Sequence, residues 1–569
     1  MKSFKSHKKS LLAMIAMSIT CACASTAYAE INERPKFDAT YDDKVVLDYE
    51  WQIFPNEYAG AEKRKYTFNK GLTVSPNDSS TGNAIYLSGN IDVDFELGNG
   101  SEMNLESSGG ALQVNPNSKL TINGVNSNLY FGNKNWNEYN EAATIWMDEG
   151  SKLEINAGNL TTSGGAETNL KLFDNAQATI NLTGNFTSDA GGTAIAMEND
   201  YRNSDTSLSI QAANITLGTT DLETARRKAG LYLLAYEENG DNKLSVDLHA
   251  KDTLKISGFA KGIQTFGNAL INLRGKTIII SAESDSQGRG LSLNSYNAAK
   301  PSILKAEAEN LSIKGSEYAI YANDRVDAQM NATGDINISG LNYAIYANKN
   351  TDIQLKTGQN LNILSDTWGI VSFDSTVNAQ AEKAINIRGK VWTSGGNITV
   401  GQDSSILQTV INGDLTAKNN GYIAAFVNNA GSSFTGNTND AHWQDVNTRD
   451  VGNKGIHLTL NGGSVWNDFD YDSTIQVLDT SKAKVDMQDD KFKGLFIGTL
   501  KGDKSTFNMD IDASTNTNNS DRLYIAGTHT GNHYITLNNV NADGNTDGAA
   551  GTVLVSVKDE HGNFFANDK

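Results

Sequence analysis

The sequence predicts an all-β protein, a right-handed parallel β-helix, and three observations predict it. The first is recurrence. The phrase "SEYAIYANDR" from Ser316 is followed by "LNYAIYANKN" from Leu341 and "SDTWGIVSFD" from Ser365, so that Ile320, Ile345 and Ile370 stand 25 residues apart. The second is that each period holds three short runs of alternating apolar and polar residues, separated by Gly, Asn and Asp, which tolerate the positive φ of tight turns. The third is that no segment carries a sustained i, i+3, i+4 apolar stripe, so no helices are available to close a parallel sheet. Three strands per period without crossover helices leave a coil in which each strand pairs with its equivalent one turn on.

Stacking like on like then follows. Ile320, Ile345 and Ile370 are expected to form an internal aliphatic ladder, and Tyr318, Tyr343 and Trp368 an aromatic one. Leu311-Ser312-Ile313, Ile336-Asn337-Ile338 and Leu361-Asn362-Ile363 make a second series. Val326-Asp327-Ala328, Ile353-Gln354-Leu355 and Val377-Asn378-Ala379 make a third, looser one.

In chain order, residues 1–29 read as a secretory signal. Lys2, Lys5, Lys8 and Lys9 supply the positive start, Leu11 to Ile19 a short apolar stretch, and Ala27-Tyr28-Ala29 the small-residue cleavage site. A membrane-spanning helix would need about 20 apolar residues, more than this stretch holds. Residues 30–64 mix aromatics with charge, hold Pro35 and Pro55, and do not repeat. They are expected to form an irregular N-terminal cap over the open edge of the first turn. The coil is expected over 65–494, with turns near 30 residues early and the regular 25-residue turns at roughly 305–380. Three interruptions, 130–146, 219–230 and 436–455, read as loops projecting from the shaft, where binding residues often sit. Residues 495–569 read as a C-terminal capping segment.

Composition agrees with a thin tubular core. The chain has 569 residues, only 38% of them hydrophobic, with 52 Gly for turns and 5 Pro to interrupt strands. Its only cysteines, Cys21 and Cys23, fall in the signal segment, so the mature chain has neither disulfides nor thiolate metal ligands. The net charge of −19 becomes more acidic when the four signal lysines are removed, which argues against nucleic acid as a partner.

From about residue 410 the phrases resemble the C-terminal part of a pertactin-like autotransporter passenger. The residues that carry the resemblance are Leu458, Leu460, Gly463, Ser464 and Trp466, then Leu500, Gly502, Phe507 and Met509, then Ser520, Asp521, Leu523 and Ile525, with Gly531 and the strand Tyr534–Leu537 after them. The resemblance implies that this last segment is autochaperone-like, capping the helix and promoting folding after export. It also implies a β-barrel translocator as a partner, which this chain does not contain, and a place at the cell surface, outer membrane or outside the cell.

β-Helices also host polysaccharide lyases and glycosidases, which need two carboxylates facing one bond. Asp489-Asp490, Asn545-Thr546-Asp547 and His561-Gly562 echo such motifs, but in the wrong order and within the capping region. Asp403-Ser404-Ser405 lacks the glycines of a serine-protease nucleophile turn. Of the histidines, His529 and His533 are spaced i, i+4, but on strand–turn–strand they would not share a helix face, so no zinc site follows. No catalytic, cofactor-binding or metal residue is assigned and no cofactor is expected. The sequence reads as a non-enzymatic adhesin, a binding shaft for a glycan or protein on a host or neighbouring cell. The alternatives are a polysaccharide-degrading enzyme and a structural surface or biofilm protein that self-associates side by side.

Overall fold

The computed structural model describes residues 35 and 38–567 apart from 56–61, 77–81, 135–142, 165–167, 201–203, 220–227, 236–241, 284–286, 296–299, 445–453, 468–469, 490, 513–518 and 541–552. The signal segment, Asp490 and Asn545–Asp547 lie outside the described residues, as do parts of each of the three expected loops. Among the described residues there are 47 strands and no helix. All the strand pairings are parallel. The chain winds through three sheets per turn, and the strand that follows each turn lies beside its equivalent in the previous one. In one sheet twenty strands stack, from Ala39–Tyr41 to Val555–Ala566. At about 4.8 Å per step the stack is roughly 90 Å long.

The ladders fall into the expected register. Ile320, Ile345 and Ile370 pair in sequence and are fully buried, as are Ile336, Ile338, Leu361 and Ile363 in the second series. Each such aliphatic side chain contributes about 1.5–3 kcal/mol through burial. The third series is shifted by two residues: Ala328, not Val326, pairs with Ile353 and then Val377, while Val326 pairs with Ser302. A shift of two keeps the same residues inward, so alternation alone could not choose between the registers. In the observed register Ala328 and Ile353 stand 25 residues apart like the isoleucines, and the corners before them match: Asp324 and Arg325 both have positive φ, as do Lys349 and Asn350 one turn on. Their backbone N–H groups donate to the carbonyls of the following turn, Asp324 to Asn348 at 3.0 Å and Arg325 to Lys349 at 2.9 Å. Asparagine side chains extend this stacking outside the tube: Asn181 donates to Asn156 at 3.0 Å, and Asn156 to Asn123 at 2.9 Å.

The coil begins earlier than expected. Ala39–Tyr41, Val45–Leu47 and Trp51–Ile53 already pair in parallel with the next turn, inside the stretch read as an irregular cap. These strands are only three residues long, and the tube beside them is filled partly by aromatics, so they did not resemble the aliphatic 25-residue phrase. Trp51, Tyr66, Phe68 and Phe95 form the plug, with Trp51 stacked on Phe95 at 5.4 Å and edge-on to Tyr66 at 5.1 Å. At the other end, Gly494–Lys501, Thr506–Ile511, Arg522–Asn539 and Val555–Ala566 add further turns to the same coil.

His529 and His533 lie on Arg522–Asn539, on either side of its bend at Gly531 (φ 92°), and both are fully buried. Their rings face each other at 5.4 Å, with Phe564 stacked on His529 at 4.5 Å. Neither ring nitrogen of His533 has a well-formed hydrogen bond. Burial, with help from the neighbouring His529 and against the pull of Asp503, lowers the His533 pKa to about 4. The unfolded chain therefore binds more protons than the folded one between about pH 6.5 and 4, so this imidazole's contribution is full above that window and is lost as pH falls through it. The shift corresponds to roughly 3 kcal/mol. Replacing His533 with Phe is expected to flatten that part of the acid-unfolding curve, followed by hydrogen exchange in 522–539; an unchanged curve would contradict the assignment.

Candidate functional site

The third sheet of each turn carries the most distinctive outer surface. In the regular turns its strands are Tyr318–Asn323, Tyr343–Asn348 and the second half of Asn360–Phe373. Strict alternation would put Tyr318 on the same side as Ile320. The structure instead turns it outward. Gly315 and Gly340 sit so close to the carbonyl oxygens of Tyr318 and Tyr343 that any Cβ there would collide with them. At the tight corner that results, Ala319 and Ala344 are buried together with the isoleucines next to them, and Gly369 takes the equivalent place before Ile370. The tyrosines before and after are left half-exposed.

Two outward columns follow. Arg289, Tyr318, Tyr343, Trp368 and Lys390 are in register in one, and Ser292, Tyr321, Tyr346, Val371 and Trp392 in the other. Within each column the rings are parallel: Tyr318 on Tyr343 at 4.6 Å and 6°, Tyr321 on Tyr346 at 5.3 Å and 3°. Between columns they are nearly perpendicular, Tyr318 to Tyr321 at 77° and Tyr343 to Tyr346 at 86°. The result is a herringbone that Phe373 extends, 5.8 Å from Tyr346 and 4.5 Å from Trp392. Cations cap it at both ends. The Arg289 guanidinium lies 5.2 Å from the Tyr318 ring and 4.2 Å from Tyr321, and Lys390 Nζ lies 6.0 Å from Trp368. Each such contact is worth about 0.5–1 kcal/mol or more when desolvated. Burial, then the charge of Glu317, pushes the Tyr318 phenol up to about 12, so it remains a hydrogen-bond donor across the ordinary pH range.

Sequence reasoning found the Tyr318–Tyr343–Trp368 ladder but not its companion column, its cationic ends or its outward aspect. The signal was present in the doubled tyrosine of "YAIYAN", whose members are three apart and cannot both follow a period of two.

Of the residues with an echo of catalytic motifs, the described ones, Asp489 and His561, are not brought together as a site. Asp489 ion-pairs with Lys493 at 2.8 Å and donates its backbone N–H to Asp510 at 2.9 Å. His561 sits exposed on the last strand, 3.1 Å from Asp559. The buried carboxylates serve backbone groups: Asp440 accepts from Ile456 at 2.6 Å, His442 at 2.8 Å and Gln476 at 2.8 Å. Among the described residues no three His, Cys, Asp or Glu side chains converge as a metal group. Of the expected loops, the described part of 436–455 is anchored rather than projecting. Trp443 packs on Phe496 at 5.2 Å, and His442 Nε2 accepts from the Asn420 N–H at 3.0 Å.

The phrases that carried the resemblance are fasteners of the last turns. Leu458, Leu460 and Trp466 point inward, and the Trp466 indole N–H donates to the Gly436 carbonyl at 2.9 Å. Leu523 and Ile525 are buried, and Asp521 holds two backbone N–H groups.

Comparison with known proteins bears on this end of the chain. Residues 457–569 match the Pertactin family. No curated protein matches the sequence. Among solved structures, the crystal structure of the Haemophilus influenzae Hap adhesin is similar at 13% identity and a TM-score of 0.23, covering 92% of this chain and 61% of that one. The chain thus spans about three-fifths of the length of that adhesin, and a TM-score this low adds nothing to what the strand pairing already shows. Residues 457–569 are thus similar to the Pertactin family, and the residues in that stretch that carried the sequence resemblance include ones that pin its last turns.

Proposed function

We propose that the chain is a non-enzymatic adhesin: a shaft, exported with the help of residues 1–29 and held at the cell surface or released, that binds a glycan or protein of a host or neighbouring cell. The observation that carries this reading is the herringbone of half-exposed Tyr and Trp rings on the third sheet, fixed by an apolar ladder directly behind it. Rigid, amphipathic aromatics give large contact area at little cost in conformational entropy. A repeated face also lets weak contacts add along the shaft. The carboxylates that burial could tune for catalysis are held by backbone N–H groups, so turnover is not part of the proposal.

Beads coated with the full chain are expected to be retained on cell monolayers, and retention should fall severalfold when Tyr318, Tyr343 and Trp368 are all replaced with Ala. Retention unchanged in that variant would remove the aromatic face from the reading. Release of reducing ends from polysaccharides by the purified chain would favour an enzyme instead.

A further inference from the structure

One end of the aromatic face holds a charge arrangement that packing alone does not explain. Lys261 and Arg289 are in register on consecutive turns, both half-buried, and like charges side by side repel. Burial and the nearby Arg289 together lower the Lys261 pKa. Among the described residues neither makes an ion pair with a carboxylate, and Arg289 Nε is buried without a hydrogen-bond partner. This contrasts with Lys390 at the other end, which is paired with Asp414 at 3.2 Å. The guanidinium is nevertheless held in place, since the Tyr318 and Tyr321 rings support it. An oriented, half-buried cation pair with no carboxylate partner among the described residues suits an incoming anion, and Arg in particular suits a carboxylate or sulfate.

We propose that this face binds an acidic linear polysaccharide. Its carboxylate or sulfate groups would engage Lys261 and Arg289, and its sugar rings would run along Tyr318, Tyr321, Tyr343 and Tyr346. The aromatic rungs repeat at the strand spacing of about 4.8 Å. Each pyranose unit in turn has C–H faces to lie against ring edges and hydroxyls to meet phenol groups. A chain with net charge −19 repels polyanions in general, so attachment of an acidic polymer must be local to such a cation pair. The inference rests on the adhesin reading and names the ligand class of the same face.

The test is titration of the full chain with three probes: oligogalacturonate, which carries carboxylates alone, heparin oligosaccharides, which add sulfates, and neutral dextran. Binding of one or both acidic probes and not of dextran is expected, and which of them binds distinguishes a carboxylate from a sulfate site. Affinity should fall about tenfold or more in Arg289→Gln, the scale of losing a hydrogen-bonded charge, and measurably in Lys261→Gln and Tyr343→Ala. Lys356→Gln, an exposed lysine on another sheet, should match the parent, and melting curves check that each variant is folded. Binding to dextran as strong as to the acidic probes, equal affinity in Arg289→Gln and Lys261→Gln, or no binding of either acidic probe would each overturn the inference. If coated beads still adhere to cells while no acidic probe binds, the ligand class fails and the adhesin reading stands; if beads do not adhere either, both fail.

Discussion

Ile345→Asp is expected to abolish stable folding of the regular turns. Ile345 is fully buried between Ile320 and Ile370, its neighbours in register above and below. Truncating such a side chain costs about 2–5 kcal/mol before any charge is considered. An unpaired carboxylate inside the tube adds several more, since nothing there can solvate it. The sum rivals the whole stability of an ordinary domain, about 5–15 kcal/mol. In a solenoid each turn leans only on its neighbours, so the damage should be centred on 318–373 and spread by loss of stacking. Limited proteolysis should cut there first, and hydrogen exchange should show lost protection in the same strands. The comparison is Leu341→Asp, four residues away on an exposed corner, where Leu341 is 58% accessible and the cost should stay within about 0.5 kcal/mol. Equal denaturation midpoints for the two variants would contradict the placement of Ile345.

Asp521→Ala is expected to loosen the C-terminal turns by about 2–6 kcal/mol. The Asp521 carboxylate is fully buried and accepts the backbone N–H of Lys493 at 2.8 Å and of Asp510 at 2.7 Å. It thereby ties the start of Arg522–Asn539 to the two strands on which it stacks. Removing it leaves two buried donors unsatisfied, each worth about 1–3 kcal/mol. Asp521→Asn should cost less, because its amide oxygen can still accept one of the two. Burial, together with the neighbouring Asp510, raises the Asp521 pKa to about 6, against the pull of those N–H groups. The sign is opposite to that of His533. Here the folded state binds more protons between about pH 3.8 and 6, so this carboxyl's contribution is greatest below that window and falls as pH rises through it. In Asp521→Asn that slope should vanish, leaving the fall in stability that His533 causes on acidification more fully exposed. Denaturation midpoints of the parent and the two variants at pH 4, 5, 6 and 7 would check both statements; a pH slope in Asp521→Asn equal to the parent's would contradict the second.

How much of this was legible in the chain differs along its length. The regular turns could be read because identical phrases at a constant step leave one stacking that places Ile on Ile and Asn on Asn. The first turn could not, since its strands are three residues long, too short to show a period, and Trp51, packed against Tyr66, Phe68 and Phe95 of the following turns, does the work of an isoleucine there. The marks at the C-terminal end were legible as a resemblance, but their roles were not. A Ser-Asp-x-Leu-x-Ile phrase does not say that its Asp receives N–H groups from residues 28 positions before it and 11 before it.

The sequence by itself determined the parallel β-helix, the inward isoleucines and the turn residues, because these depend on local alternation and on repetition at a fixed step. Only the tertiary structure decided which way the aromatics face. Trp51 in the aromatic plug and Tyr318 in the ladder are both rings in strands of one sheet, yet one fills the tube and the other covers it. The difference is set by a corner at which the glycine before Tyr318 admits a close backbone approach and Ala319 takes the inward place. It is set also by Arg289 arriving from the previous turn to hold the outward rings. Both are contacts between residues brought together by coiling, and no window of sequence contains them.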